Sequence, residues 1–301
     1  MSAGTVAPAQ VPDWRSILFV PADQPRFIDK AHLRGADAIQ LDLEDAVAPA
    51  AKAGARRALP GAIAALAAHR VPVVVRINRG WRDAMADLDA AVHAGVHAIT
   101  LPKVEDSGRV RAIDEAIAEF ESERGLPVGA IGLLLLIESP AALPRLPELA
   151  AASPRVSAMT LGPEDYSVAA GCATEGPALL GPNLAVAQAC AARGLLPLGF
   201  VGSIGDFADL TAFRRRIEQA RQLGFRGAAV IHPAQVAILN EAFGPSPAEL
   251  DWAARVVQAA AQAGEGAFAL DGRMIDRPVV MRAQTWLARA GAARPVMTAP
   301  R

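Results

Sequence analysis

The sequence predicts an α/β fold, a (β/α)8 TIM barrel with a C-terminal helical extension, and three observations carry that prediction. Eight short apolar runs rich in β-branched residues recur along the chain, most of them close on charged or polar residues, and alanine-rich stretches with helical periodicity lie between them. Short apolar runs alternating with helices mark a parallel sheet covered on both faces. Eight such units within roughly 230 residues fit a closed barrel, whose chemistry lies at the C-terminal ends of the strands.

In chain order, SILFVP is the first strand, followed by Asp23 and a helix on which Arg26 and Lys30, four residues apart, share a face. AIQLDLED ends in Asp42, Glu44 and Asp45, and a helix follows from Ala53 to Ala68. VPVVVRIN ends in Arg76 and Asn78, ahead of the Ala84 to Ala94 helix. HAITLPKVE supplies Lys103 and Glu105 before the Arg109 to Arg124 helix. IGLLLLIES supplies Glu138, and VSAMTLGPED supplies Asp165. LLPLGFV, from Leu195 to Val201, is the seventh strand and precedes a helix from Phe207 to Leu223; GAAVIHP is the eighth and supplies Ile231 and His232.

Residues 1–14 read as a flexible N-terminal arm, 15–244 as the barrel and 245–301 as the extension. The arm lacks the basic and apolar regions of a signal peptide. Pro245, Ser246 and Pro247 break the chain, and PSPAELDWAARVVQAAAQA then forms a helix with a Trp252, Val256, Val257 stripe. A turn at Gly264 to Gly266 ends it, and LDGRMID leads into a second helix from Arg277 to Ala290. A piece of about 45 to 50 residues is too small to hold a substantial core alone, so it must pack on its own barrel or on another subunit.

An apolar fraction of 52% with a net charge of −1 describes a soluble, enzyme-like chain with no basic stripe for nucleic acid. No apolar stretch approaches the roughly 20 residues of a membrane span. Cys172 and Cys190 form neither a metal spacing nor a disulfide framework and read as reduced structural residues of a cytoplasmic protein.

The chemistry concentrates at the strand ends. Glu138 and Asp165 stand 27 residues apart, each where a buried strand opens into a loop. Magnesium takes oxygen ligands and keeps open positions for water or substrate, so two carboxylates suffice as the protein's share; the bland reading of Asp165 is a turn opening. Arg76 suits binding a carboxylate or stabilising an enolate oxygen, or else a structural ion pair with a neighbouring acid. Lys103 could form a Schiff base, but the acid pair in the same barrel favours a salt-bridged or phosphate-facing lysine. Asp276, just before Pro278, has the features of a helix N-cap.

Taken in order, SILFVPADQPRFIDKA, GADAIQLDLEDAV, VVVRIN, LPKVE, IES, LGPEDY, AAVIHPAQV, NEAFGPSP and GAFALDGRMIDRP resemble the HpcH/HpaI aldolase and citrate lyase beta-subunit family, and in particular its stand-alone acyl-CoA lyases. The resemblance implies that Glu138 and Asp165 ligate Mg²⁺, that Glu138, Asp42, Glu44 and Asp45 face the substrate, and that Glu44 and Asp45 hold the metal's waters. It implies that Arg76 faces the substrate, and that Phe19, Arg26, Lys30, Ile231 and His232 contact the acyl-CoA. It places Asp276 in the site of an adjacent subunit, as the acid or base at the acetyl carbon, and so implies a homotrimer or hexamer.

The activity implied is Mg²⁺-dependent cleavage of a malyl-CoA, methylmalyl-CoA or citramalyl-CoA type substrate to acetyl-CoA or propionyl-CoA and a 2-keto acid. A metal aldolase on free 2-keto-3-hydroxy acids, a malyl-CoA thioesterase and a non-catalytic lyase subunit are the alternatives. Ala22 stands where the family has glycine, and Gly199 where several relatives have aspartate; both departures bear on substrate identity.

Overall fold

The computed structural model describes residues 12–263 and 266–292. Residues 1–11 of the expected arm, Gly264 of the expected turn and the tail beyond position 292 lie outside the described residues.

Eight parallel strands are present: β1 (Ser16–Pro21), β2 (Ala38–Asp42), β3 (Val73–Arg76), β4 (Val96–Leu101), β5 (Gly132–Ile137), β6 (Val156–Leu161), β7 (Leu196–Leu198) and β8 (Ala228–Val230). Each pairs in parallel with its sequence neighbour from β1 to β7, and β1 pairs with β8. The ring closes where Leu198 bridges Gly227 and the Gly199 amide donates to the Gly227 carbonyl at 2.8 Å. This is the predicted barrel.

Strand β7 is shorter than the predicted Leu195 to Val201 run. Gly199 at φ 133° and Gly202 at φ 144° adopt backbone that L side chains rarely enter, so the extended run ends at Leu198.

The helices follow as α1 (Pro25–Ala31), α2 (Lys52–Ala68), α3 (Trp81–Ala91), α4 (Ser107–Glu123), α5 (Leu146–Ala150), α6 (Pro163–Ala170), α7 (Leu180–Arg193), α8 (Leu210–Gln222) and α9 (Pro233–Ala242). Alternate strand residues such as Leu18, Leu41, Val75, Leu135 and Met159 face these helices and form the main core. The opposite set, Ile17, Ala38, Val74, Ala98, Leu134, Ala158 and Leu196, fills the barrel's lower interior together with Trp14. Small residues at three of these positions leave room for the larger ones, as a packed barrel interior requires. Above this floor Thr100 donates to Gln40 at 2.8 Å, and the charged residues begin one layer higher.

Packing of the floor reaches back to Trp14, which is 3% exposed. A Cβ added at Gly227 would lie 2.0 Å from the Trp14 carbonyl oxygen, so only glycine lets the incoming chain cross β8 here.

The extension comprises α10 (Pro247–Ala263), an antiparallel hairpin of β9 (Phe268–Leu270) and β10 (Arg273–Ile275), and α11 (Arg277–Ala292). Ala253, Val256, Ile275 and Ala283 form its small core, flanked by the tilted pair Trp252 and Trp286. It meets the barrel through Arg221 with Glu249 at 2.5 Å and Arg289 with Asp13 at 3.2 Å. Among the described residues no helix is long and apolar enough to cross a membrane.

Candidate active site

The strand ends bring together most of the residues that the sequence singled out. Asp42 closes β2 and accepts from Arg76 Nε at 2.7 Å and Nη2 at 2.6 Å. It also accepts from the amides of Glu44 and Ala46, which folds the β2 exit loop around it. Arg76 Nη1 lies 3.0 Å from Glu44 Oε2, and its guanidinium stacks 5.1 Å from the Phe19 ring centroid. Burial opposes this charge, but the hydrogen bonds and charge of Asp42, then Glu44 and Asp45, outweigh it and raise the guanidinium's pKa. Arg76 is thus ion-paired with neighbouring acids, and it also lines the pocket described below.

Lys103 follows β4 with φ 51°. Its amide donates to Glu138 Oε2 at 2.7 Å, while its Nζ lies 3.0 Å from Glu44, 3.2 Å from Asp165 and 3.5 Å from Asp45. Burial acts against the ammonium, yet the hydrogen bond and charge of Glu44, with Glu138 and Asp165, hold its pKa above the ordinary value. A lysine kept charged this way is not the free amine that Schiff-base chemistry needs.

Glu138 stands just past β5 and is 6% exposed. Burial pushes its carboxyl up to about 8; the Lys103 amide opposes the shift, while Glu44 and the contact with Asp165 add to it. Glu44 is raised in the same direction, first by burial and further by Asp45, against Arg76 and Lys103. Asp165 sits in the first turn of α6 with its side chain 43% exposed, and Asp45 is also exposed.

Among the described residues no set of three or more Asp, Glu, His or Cys side chains is arranged as a ready metal cage. The donor set nonetheless fits a hard divalent cation. Glu138 and Asp165 offer adjacent carboxylate oxygens, and among the described residues the salt bridges to Asp42, Glu44, Asp45 and Asp165 come from Arg76 and Lys103. The Lys103 ammonium already occupies a cation's position against Asp165.

A largely apolar pocket of about 630 Å³ opens from this cluster at Asp42 and Arg76. Phe19, Ile231 and His232 are among its lining residues; Phe27, Arg34 and Ile204, which the sequence reading did not single out, line it too. Phe27, Ala31 and Arg34 follow helical spacing across α1 and the 3-10 turn His32–Arg34, and that spacing is the signal that could have found them. Arg26 and Lys30 are exposed on α1 and do not line this pocket. His232 caps α9, accepting from the Ala234 amide at 3.2 Å, and its ring stacks on Phe207 at 4.9 Å. Asp276 lies in the extension, where its carboxylate accepts from the Val279 amide at 3.3 Å as the N-cap of α11, and it is not among the pocket's lining residues.

The HpcH/HpaI aldolase/citrate lyase family matches residues 15–233. Citrate lyase subunit beta of Escherichia coli K12 is 35% identical over 284 residues, spanning 92% of this chain and 93% of that protein. The L-malyl-CoA/beta-methylmalyl-CoA lyase of Cereibacter sphaeroides is 34% identical over 302 residues, spanning 92% and 94%. The crystal structure of CitE from Mycobacterium tuberculosis in complex with magnesium, acetoacetate and coenzyme A superposes with a TM-score of 0.72 at 32% identity, covering 92% of this chain and 97% of that one. On the family match over residues 15–233 and the identity to citrate lyase subunit beta along most of both chains, the chain belongs to the HpcH/HpaI aldolase/citrate lyase family.

Proposed function

We propose that the protein is a Mg²⁺-dependent carbon-carbon lyase of the cytoplasm that cleaves a 3-hydroxyacyl-CoA carrying a second carboxylate, of malyl-CoA, methylmalyl-CoA or citramalyl-CoA type, into acetyl-CoA or propionyl-CoA and a 2-keto acid. The observation that carries this reading is the junction at Arg76, where a buried acid cluster meets an apolar pocket. Such a junction suits a substrate with a charged, chelating end joined to a long arm that is uncharged near the thioester. The magnesium-, acetoacetate- and coenzyme A-bound relative supports both halves of it.

Glu138 and Asp165 would hold the ion, which when bound supplies Lewis-acid polarisation of the substrate's hydroxyl and carboxylate oxygens. Glu44 and Asp45 would order its waters. Arg76, fixed by Asp42 and by the Phe19 ring, presents a rigid positive charge to the thioester oxygen as the enolate develops. Asp276 of a neighbouring copy would protonate the enolate carbon, or remove a methyl proton in the reverse direction. That role makes the active form a homotrimer or hexamer. Arg26 and Lys30 would meet the outer, anionic part of the CoA.

The test is a panel of hydroxyacyl-CoA thioesters incubated with enzyme and Mg²⁺, with free CoA, acyl-CoA product and keto acid measured separately. Equimolar acyl-CoA and keto acid supports the lyase. Free CoA alone identifies a thioesterase, and turnover of free hydroxy keto acids alone identifies an aldolase.

A further inference from the structure

We infer that Lys103 is a built-in counter-ion that occupies the cation site of the metal-free protein and must yield Asp165 when a divalent ion enters, so that it sets the affinity of the site. This inference rests on the magnesium reading of Glu138 and Asp165 given above.

Among the described residues, only Arg70, Lys103 and Asp271 adopt positive φ without being glycine. Arg70 follows the end of α2 and Asp271 lies in the β9–β10 turn, where such backbone is ordinary. Lys103 instead holds it at the mouth of a barrel strand, where a side chain in the left-handed region is strained. The twist lets one residue reach both proposed ligands. The amide donates to Glu138 Oε2 at 2.7 Å, and the ammonium lies 3.2 Å from Asp165.

The two contacts differ in kind. A neutral N–H orients Glu138 without competing for charge and leaves the other oxygen, Oε1, free of that bond. The ammonium sets a full charge against Asp165, one of the two carboxylates proposed to take the ion. Two cations sharing one carboxylate in a partly buried site repel strongly. Glu44 at 3.0 Å and Asp45 at 3.5 Å remain as partners for the displaced ammonium, so it need not leave the site. Lys103 therefore screens the acids when no metal is present and opposes the metal when it arrives.

The test is Mn²⁺ binding, followed by electron paramagnetic resonance on the full chain, for the parent, Lys103→Met and Lys103→Arg, with thermal melts in EDTA. Methionine keeps the length and removes the charge, so it should bind Mn²⁺ at least about tenfold tighter while its metal-free form melts lower; arginine should stay within about threefold of the parent. A gain in affinity is not what simple structural damage produces. Equal or weaker binding by Lys103→Met overturns the inference. Should that variant fail to fold, amine labelling of Lys103 in the parent, mapped by peptide mass spectrometry, decides the matter. Labelling should rise on saturation with Mg²⁺, and unchanged or reduced labelling is the overturning result. A parent that binds no Mn²⁺ removes the magnesium reading itself, whereas a parent that binds normally beside an unimproved Lys103→Met removes only the role given to Lys103.

Discussion

Gly162 lies directly against the Glu138 side chain: a Cβ at position 162 would come within 2.6 Å of Glu138 Cγ and 2.9 Å of its Oε1. The backbone there, at φ −91° and ψ 99°, is open to any residue, so steric contact alone demands glycine. Gly162→Ala should displace the carboxylate and lower kcat/KM about 100-fold, with unfolding free energy changed by less than about 1 kcal/mol. Steady-state kinetics beside a denaturant titration check it; parent-like activity would show that Glu138 is not a ligand whose position matters.

The raised pKa of Glu138 gives a pH signature in metal-free protein. A carboxyl at about 8 in the folded chain, and near its ordinary value when unfolded, binds more protons folded than unfolded between those limits. Its contribution to stability is therefore intact at low pH and falls as pH climbs toward 8. Glu138→Gln removes that loss. In EDTA the variant should be more stable than the parent at pH 8, by roughly 4 kcal/mol, and the gap should close near pH 4.5. Denaturant titrations at the two pH values measure it, and a constant gap would contradict the burial argument.

Arg34, in the 3-10 turn after α1, lines the apolar pocket, whereas Arg26 and Lys30 on α1 do not, although all three are exposed. Arg34→Ala should raise KM for the acyl-CoA about five- to tenfold with kcat within about twofold, because the contact is remote from bond cleavage. The Arg26→Ala, Lys30→Ala double variant should also raise KM. Kinetics with the thioester show which change is larger, and so where along α1 the ligand's anionic groups lie. An unchanged KM in both variants would favour the free-acid aldolase.

Asp276 tests assembly. Asp276→Ala and Glu138→Ala chains, each inactive alone, should recover part of the activity after demonstrated subunit exchange, since some mixed sites combine an intact metal pair with an intact aspartate. Mixing followed by the lyase assay reads it out. Exchange without recovery returns Asp276 to the N-cap of α11 alone.

The barrel was legible because strands buried on both faces leave unbroken apolar runs, and the acids that end them mark where each strand opens into a loop. The β9–β10 hairpin was not foreseen, although Asp271 and Gly272, at φ 51° and 71°, form the two-residue turn that an Asp-Gly pair favours. Its strands are three residues each, too short to show a period. Among the site residues, the acids and Arg76 could be placed from strand ends alone. The double reach of Lys103 could not, because nothing in a sequence announces a lysine in the left-handed region. The fit of Gly162 against Glu138 was equally hidden, since it joins two loops across space.

The closing seam between β1 and β8 also orders events during synthesis. One edge of β1 finds β2 almost at once, but Ser16 to Leu18 meet Ala228 to Val230 only after more than two hundred further residues have been made. Until then the nascent chain carries an open strand edge and an unseated Trp14 beside a nearly finished sheet. The ribosome must deliver β8 before the floor can seal, so the first strand made waits for the last before it has both its neighbours.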